Sequence, residues 1–229
     1  MTIYTSFAGK LLVLVACATA AGSATQAADN TRYISITGDN ANACTLAQPC
    51  RTLRRGIKET PEGGELRIRN SGLYGANATI NKSMTITGNG NTVFLDGILT
   101  VNPGPGAVVA LRDLTLNGQG TINAGANIDQ AAAVHIERCV IHGFTGDAIF
   151  VLGAGTRIFV FDSILRDNGG DGLRVGGGAI AVISNSTFTN NLHGIHNLGI
   201  VETRQNNTVR GNEVDIFDGG GTFTSVGGI

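Results

Sequence analysis

From residue 110 onward the apolar and polar positions repeat with a long period. Five segments share one pattern: an apolar strand, a polar residue, a small or polar one, a second apolar position, and a Gly/Asn/Asp turn. They are ALRDLTLNG (110–118), HIERCVIHG (135–143), VFDSILRDN (160–168), VISNSTFTN (182–190) and TRQNNTVRG (203–211). The matching apolar residues Leu116, Ile141, Leu165, Phe188 and Val209 step by 25, 24, 23 and 21 positions. The earlier segment INKSMTITG (80–88) aligns through Ile86, 30 positions before Leu116, which predicts an insertion in that turn. A second register runs alongside. In GDAIFV, GDGLRV and LHGIHN the residues Ile149, Leu173 and Ile195 are 24 and 22 apart, so two strands per repeat recur together. Alternation over four to six residues dominates and helical periodicity is absent, which reads as strand.

A unit of this size cannot bury its own apolar face. Stacked units place like positions about 4.8 Å apart, the spacing of hydrogen-bonded strands, and the apolar columns fuse into one core. The expected fold is therefore all-β, a solenoid with residues 66–216 as coils. Asn168, Asn191 and Asn212 recur at the turns; stacked Asn side chains can bond to one another there and tolerate the left-handed geometry that turns need. Open sheet ends need cover. Pro49–Glu59, with Cys50, Leu53 and Ile57 at helical spacing and Pro at its start, predicts a short amphipathic helix capping the N-terminal end. That cap spans residues 28–65, and the Gly-rich stretch 217–229 is expected to be an irregular tail.

Composition agrees. Glycine supplies 34 of 229 residues, too many for a helical domain in which each interior Gly costs about 1 kcal/mol. Before residue 28 the layout changes: Lys10, then the apolar and small run Leu11–Ala20, is that of a secretory signal peptide. Cleavage after Ala27 leaves one domain, 28–229, that is secreted, periplasmic or surface-held. Leu14-Val15-Ala16-Cys17 offers the alternative of a lipoprotein anchored through Cys17. The apolar run is too short for a transmembrane span, which needs about 20 residues. Removing residues 1–27 takes away Lys10 and no acid, so 15 basic residues face 17 acidic ones. That balance gives no reason to expect nucleic acid as a partner; the oligomeric state is not readable. Export permits a disulfide, and Cys44 and Cys50 lie close together in a polar turn, so they are expected to pair, the alternative being a metal site. Cys139 is then a small buried side chain.

The stretches Gly38-Asp39-Asn40-Ala41-Asn42-Ala43-Cys44, Gln48-Pro49-Cys50-Arg51-Thr52-Leu53, Gly63-Gly64-Glu65-Leu66 and Ile80–Ile86 resemble the opening of a group of small secreted bacterial proteins. That group carries parallel β-helix repeats of the pectate-lyase-like architecture. The resemblance spans roughly residues 31 to 215. It implies a single-stranded right-handed parallel β-helix and export, and no catalytic residues. The enzymes of that architecture carry motifs this chain lacks. Gly170-Asp171-Gly172 is missing the second Asp of a polygalacturonase pair, Leu192-His193-Gly194 is missing the first Gly of its Gly-His-Gly, and no Arg-x-Pro-x-x-Arg of pectate lyases is found. Fold alone does not confer function.

Exposed columns follow from the register. Asp147, Asp171 and His193 each stand two residues before an apolar position and would form a ladder; Phe150, Arg174 and His196 come one residue after it. His142, Arg166, Thr189 and Arg210 align on the other strand. The ladder with Arg174 is the candidate catalytic set. His142, Arg166, Arg174, His196 and Arg210 are candidate ligand-binding residues. Paired carboxylates supply an acid and a base at the separation glycoside hydrolysis needs, or Asp147 and Asp171 could hold Ca²⁺. The arginines could grip a uronate. The competing reading makes both aspartates turn residues before Gly and leaves the histidines and arginines as solvated surface. With complete repeats and no enzyme motif, the preferred expectation is an exported β-helix presenting a repetitive surface to polysaccharide, without catalysis or cofactor. The alternatives are a polysaccharide lyase or glycoside hydrolase on an acidic glycan, and a purely structural or adhesion protein.

Overall fold

The computed structural model describes residues 30–75 and 77–227. The expected signal peptide and the Cys17 anchor lie outside the described residues. Among those described, the chain winds into three parallel sheets of nine, seven and seven strands, and no helix is long and apolar enough to cross a membrane. Each full coil contributes one strand to each sheet. In one coil these are Arg157–Phe161 (first sheet), Ile164–Asn168 (second) and Leu173–Val175 (third). The expectation of two strands per coil is thus corrected to three. ALRDLTLNG spans the end of the strand Gly104–Arg112 and the whole of Thr115–Asn117, separated by a bend.

The bend has a backbone cause. Asn89, Asp113, Arg138, Asp162, Asn185 and Gln205 occupy it in successive coils, all with φ between 49° and 63°. Asn and Asp visit this left-handed region most readily among residues with a Cβ. In two coils the strain is offset across rungs, where the Arg138 guanidinium forks onto the Asp113 carboxylate at 2.7 and 3.0 Å.

Interior files run through every sheet. In the second sheet Val93, Leu116, Ile141, Leu165, Phe188 and Val209 stack in register. In the third the file is Ala78, Leu99, Ala126, Ile149, Leu173, Ile195 and Ile216. Ile86 does not precede Leu116 as expected. It belongs to the first sheet and stacks on Leu111, because the bend gives each repeat two equivalent apolar positions, so no inserted turn is required. Ile141, Leu165 and Phe188 are fully buried. Burial of this kind contributes about 1.5–3 kcal/mol per large side chain.

Two polar ladders line the corners. The expected one is present: the Asn191 side-chain oxygen accepts from Asn168 N and Nδ2 at 3.2 and 2.8 Å, and Asn212 does the same for Asn191 at 3.0 and 3.0 Å. The left-handed residues are not these asparagines but the ones before them, Asp167, Asn190 and Gly211. The second ladder sits one residue past the bend. Cys139 N–H donates to Ser163 Oγ at 3.1 Å, Ser163 N–H to Ser186 Oγ at 3.2 Å, and Ser186 N–H to Asn207 Oδ1 at 2.8 Å. Cys139 is buried and, among the described residues, in no disulfide, and desolvation pushes its thiol up to about 12.

The N-terminal end is covered as expected, over a shorter helix. Leu53–Glu59 is helical, with Thr52 rather than Pro49 at its start, accepting from Arg55 N. Leu53 and Ile57 are buried. Gly56 allows the close approach, since a Cβ there would fall 2.6 Å from Ile34 Cγ2. Cys44 and Cys50 form a disulfide with a Cα–Cα distance of 4.6 Å. The first sheet already begins inside the expected cap, where Thr31–Ile34 pairs with Glu65–Ile68. The tail also differs from expectation. Val214–Asp218 and Thr222–Ser225 are strands pairing with the coil below. Backbone pairing extends the stack here, with Phe223 packing against the core end, and the glycines at 219–221 lie in the turn between these strands.

Candidate functional site

The aligned columns place most of the candidate residues on two faces. On the second sheet His142, Arg166 and Thr189 are register neighbours, with Arg210 exposed on the next coil. Arg166 is ion-paired with Asp167. Burial, reinforced by the Arg166 charge, holds the His142 imidazole below its ordinary pKa. This column is a set of partly solvated side chains in which the partly exposed Asp167 carboxylate pairs with Arg166 and lies in the field of His142.

The third sheet is different, because there the structure gathers the residues. Asp171 precedes the strand Leu173–Val175 and is only 3% exposed. Its Oδ1 lies 2.6 Å from His193 Nδ1 and its Oδ2 lies 2.7 Å from His196 Nδ1. In a regular strand residues three apart face opposite sides. Here Gly194 and Ile195 are both buried between the partly exposed His193 and His196, so the in-and-out alternation is interrupted while the register with Val214–Asp218 stays constant. A Cβ on Gly194 would fall 2.6 Å from Asp215 O, so glycine is what brings both imidazoles to one carboxylate. Phe217 closes over the pair, its ring 4.8 Å from that of His193 and 4.7 Å from that of His196.

Asp147, one coil earlier, faces another partner. Its Oδ1 accepts the Asp171 backbone N–H at 2.8 Å, the turn role anticipated for an Asp before a tight bend. Its other oxygen is 3.9 Å from Arg174 Nη1, and the Arg174 guanidinium lies over the Phe150 ring, 4.6 Å from the centroid. Desolvation and then the Asp171 charge raise the Asp147 pKa, against the backbone bond, Arg174 and His196. A raised carboxyl pKa means the native state binds protons more readily than the unfolded chain, so stability drops as pH rises through the carboxylate range. Asp147→Asn keeps the acceptor and removes the charge. We expect it to unfold at a temperature equal to or above that of the wild type at pH 7, with any gain fading on acidification towards pH 4; calorimetry at both pH values checks this.

One residue after each interior position, the outer face carries Phe150, Arg174, His196 and Phe217 in strict register. The ladder Asp147–Asp171–His193 and this column were readable from spacing. Phe217 was not assigned, although the next step of the series 150, 174, 196 points to it. The convergence of two imidazoles on Asp171 was also unread.

No curated protein and no solved structure matches the chain. Residues 124–228 match a family model described as right handed beta helix region. With about seven stacked turns the chain is a parallel β-helix, and its second half is similar to the right-handed β-helix family, consistent with a pectate-lyase-like architecture.

Proposed function

We propose that the protein is an exported, non-catalytic glycan-binding β-helix that lays an acidic polysaccharide along the outer face of its third sheet. The observation that carries this reading is the column Phe150–Arg174–His196–Phe217, which places a ring or a cationic group on each of the last four rungs of the sheet. A polymer with periodic carboxylates meets periodic partners on such a surface. Arg174 is available for the task. Its contact with Asp147 is long, and its fork suits a bidentate carboxylate. Phe217, 41% exposed, offers an apolar face for sugar C–H groups. The carboxylates are already engaged, Asp147 by a backbone amide and Asp171 by two imidazoles, which speaks for binding rather than paired-acid hydrolysis.

One observation favours a second reading. The Asp171 carboxylate orients two imidazoles at a partly exposed face, and a positioned imidazole is the group a proton-abstracting lyase would use. Calorimetric titration of the mature protein with polygalacturonate, alginate and neutral dextran separates the cases. The expected result is binding of the acidic polymers alone, weakened by salt, with no unsaturated or reducing ends released. Arg174→Ala should weaken it about 10- to 100-fold, the worth of a charge-assisted hydrogen bond. Equal affinity for dextran, or an unchanged Arg174→Ala, overturns the glycan reading; release of unsaturated ends replaces it with the lyase. Binding of none of the polymers leaves a structural or adhesion role.

A further inference from the structure

We propose that Asp171, His193 and His196 form a binding site for a zinc-class divalent transition metal. The inference is independent of glycan binding and rests on the donor set, its charge and its surroundings.

One donor atom from each of the three side chains lies within 4.8 Å of the other two. They come from adjacent rungs, with Asp171 one coil below both imidazoles. Two ring nitrogens and a carboxylate are the ligands that zinc and its neighbours favour. Calcium prefers an all-oxygen shell of six to eight ligands, so a nitrogen-rich cluster suits a zinc-class ion better than the Ca²⁺ that Asp147 and Asp171 offer as an alternative.

The charge on Asp171 asks for a cation. Its carboxylate is buried, and among the described residues its ion-pair partners are the two imidazoles, with no Arg or Lys within ion-pair distance. A buried carboxylate without a compensating charge is strongly unfavourable. Arg174 does not supply it: its nearest acidic contact is Asp147, and its Nε is buried with no hydrogen-bond partner. A divalent ion between the three side chains neutralises the carboxylate and takes the nitrogen lone pairs at once.

The surroundings are those of a supported site. The Asp171 backbone is held by Asp147, and Phe217 walls the imidazoles with an apolar ring. Such outer contacts orient ligands and lower the local dielectric. Around a tetrahedral zinc with bonds of about 2.0–2.2 Å, ligand atoms sit about 3.3 Å apart. The two nitrogen–oxygen distances, 2.6 and 2.7 Å, open slightly on binding while the imidazoles swing together. Three protein ligands leave a fourth position for water.

Untagged mature protein is stripped with a chelator and titrated with ZnCl₂ by calorimetry, and separately with Co²⁺ while its visible absorption is followed. The expected result is one zinc per chain, a higher thermal midpoint, and cobalt ligand-field bands of a nitrogen-ligated site. His196→Asn, whose amide can still donate to Asp171, should weaken zinc binding about tenfold or more with an unchanged circular dichroism spectrum. His193→Asn should abolish the cobalt bands, and His135→Asn, on the first sheet, should change neither. Absence of zinc binding to the wild type, a preference for Ca²⁺, or equal zinc affinity in the wild type and both site variants overturns the proposal.

Discussion

Replacing Asn191 with Ala is expected to lower the free energy of unfolding by about 3–5 kcal/mol, several times the loss for an ordinary surface substitution. Asn191 is 4% exposed, and both ends of its amide are used. Its oxygen takes two hydrogen bonds from Asn168. Its nitrogen donates to Leu165 O at 3.0 Å and to Asn212 Oδ1 at 3.0 Å. Truncation therefore takes the acceptor from the Asn168 backbone N–H, leaves Asn168 Nδ2 with only its long bond to Ile141 O at 3.4 Å, and removes a donor from the Leu165 carbonyl, all in a buried corner. Each buried unpaired group costs about 1–3 kcal/mol, and partial relaxation or entry of a water keeps the total below the sum. Urea unfolding monitored by circular dichroism gives the number. A loss under 1 kcal/mol would mean that the ladder is decorative and that apolar stacking alone sets the coil register.

This ladder was visible in the sequence because one residue type recurs at one spacing. The rest of the corner chemistry was not, and the reasons are physical. The bend between first and second sheets is made by Asn, Asp, Arg and Gln in left-handed geometry, so no recurring glycine marks it, and two strands read as one. That is why the sequence pattern pairs Ile86 with Leu116, whereas its neighbour in space is Leu111. The second ladder mixes Cys139, Ser163, Ser186 and Asn207; they share the ability to sit in a corner but not a side chain. The last coil was hidden for another reason. The stretch after 216 lacks a buried face, and pattern reading detects burial, whereas backbone pairing to the rung below needs none.

The candidate site was legible as positions and not as contacts. Spacing alone put Asp147, Asp171 and His193 in a line and set Arg174 beside His196. Spacing could not tell that Asp147 turns onto a backbone amide while Asp171 goes under two rings. That distinction depends on Gly194, whose missing Cβ lets its buried backbone sit against Asp215 O and interrupts the pleat, so that His193 and His196 share a face. Periodicity assumes a regular strand, and the site exists where the strand is irregular.

The other large effect lies in the interior file of the second sheet. Phe188→Ala is expected to remove about 3–5 kcal/mol, the cost of emptying a well-packed aromatic site, but that loss should not be felt evenly. A solenoid is stabilised by contacts between neighbouring rungs, and Phe188 joins Leu165 below to Val209 above. Above it the stack is already thin. Val214, Ile216 and Phe217 are 40%, 49% and 41% exposed, and the second sheet ends in the two-residue strand Thr208–Val209. Weakening the Phe188 interface should therefore let residues 187–225 open while the coils from Leu66 to Val160 stay folded. Hydrogen exchange should show protection lost across the C-terminal rungs and kept in the file Ile86–Leu111–Ile136, and urea unfolding should separate into two transitions. Because His193, His196 and Phe217 all ride on the opening segment, the substitution should also dismantle the cluster around Asp171, some twenty residues away in the chain but one rung away in space. A single cooperative transition, with exchange rising equally in every coil, would show instead that the stack melts as one body.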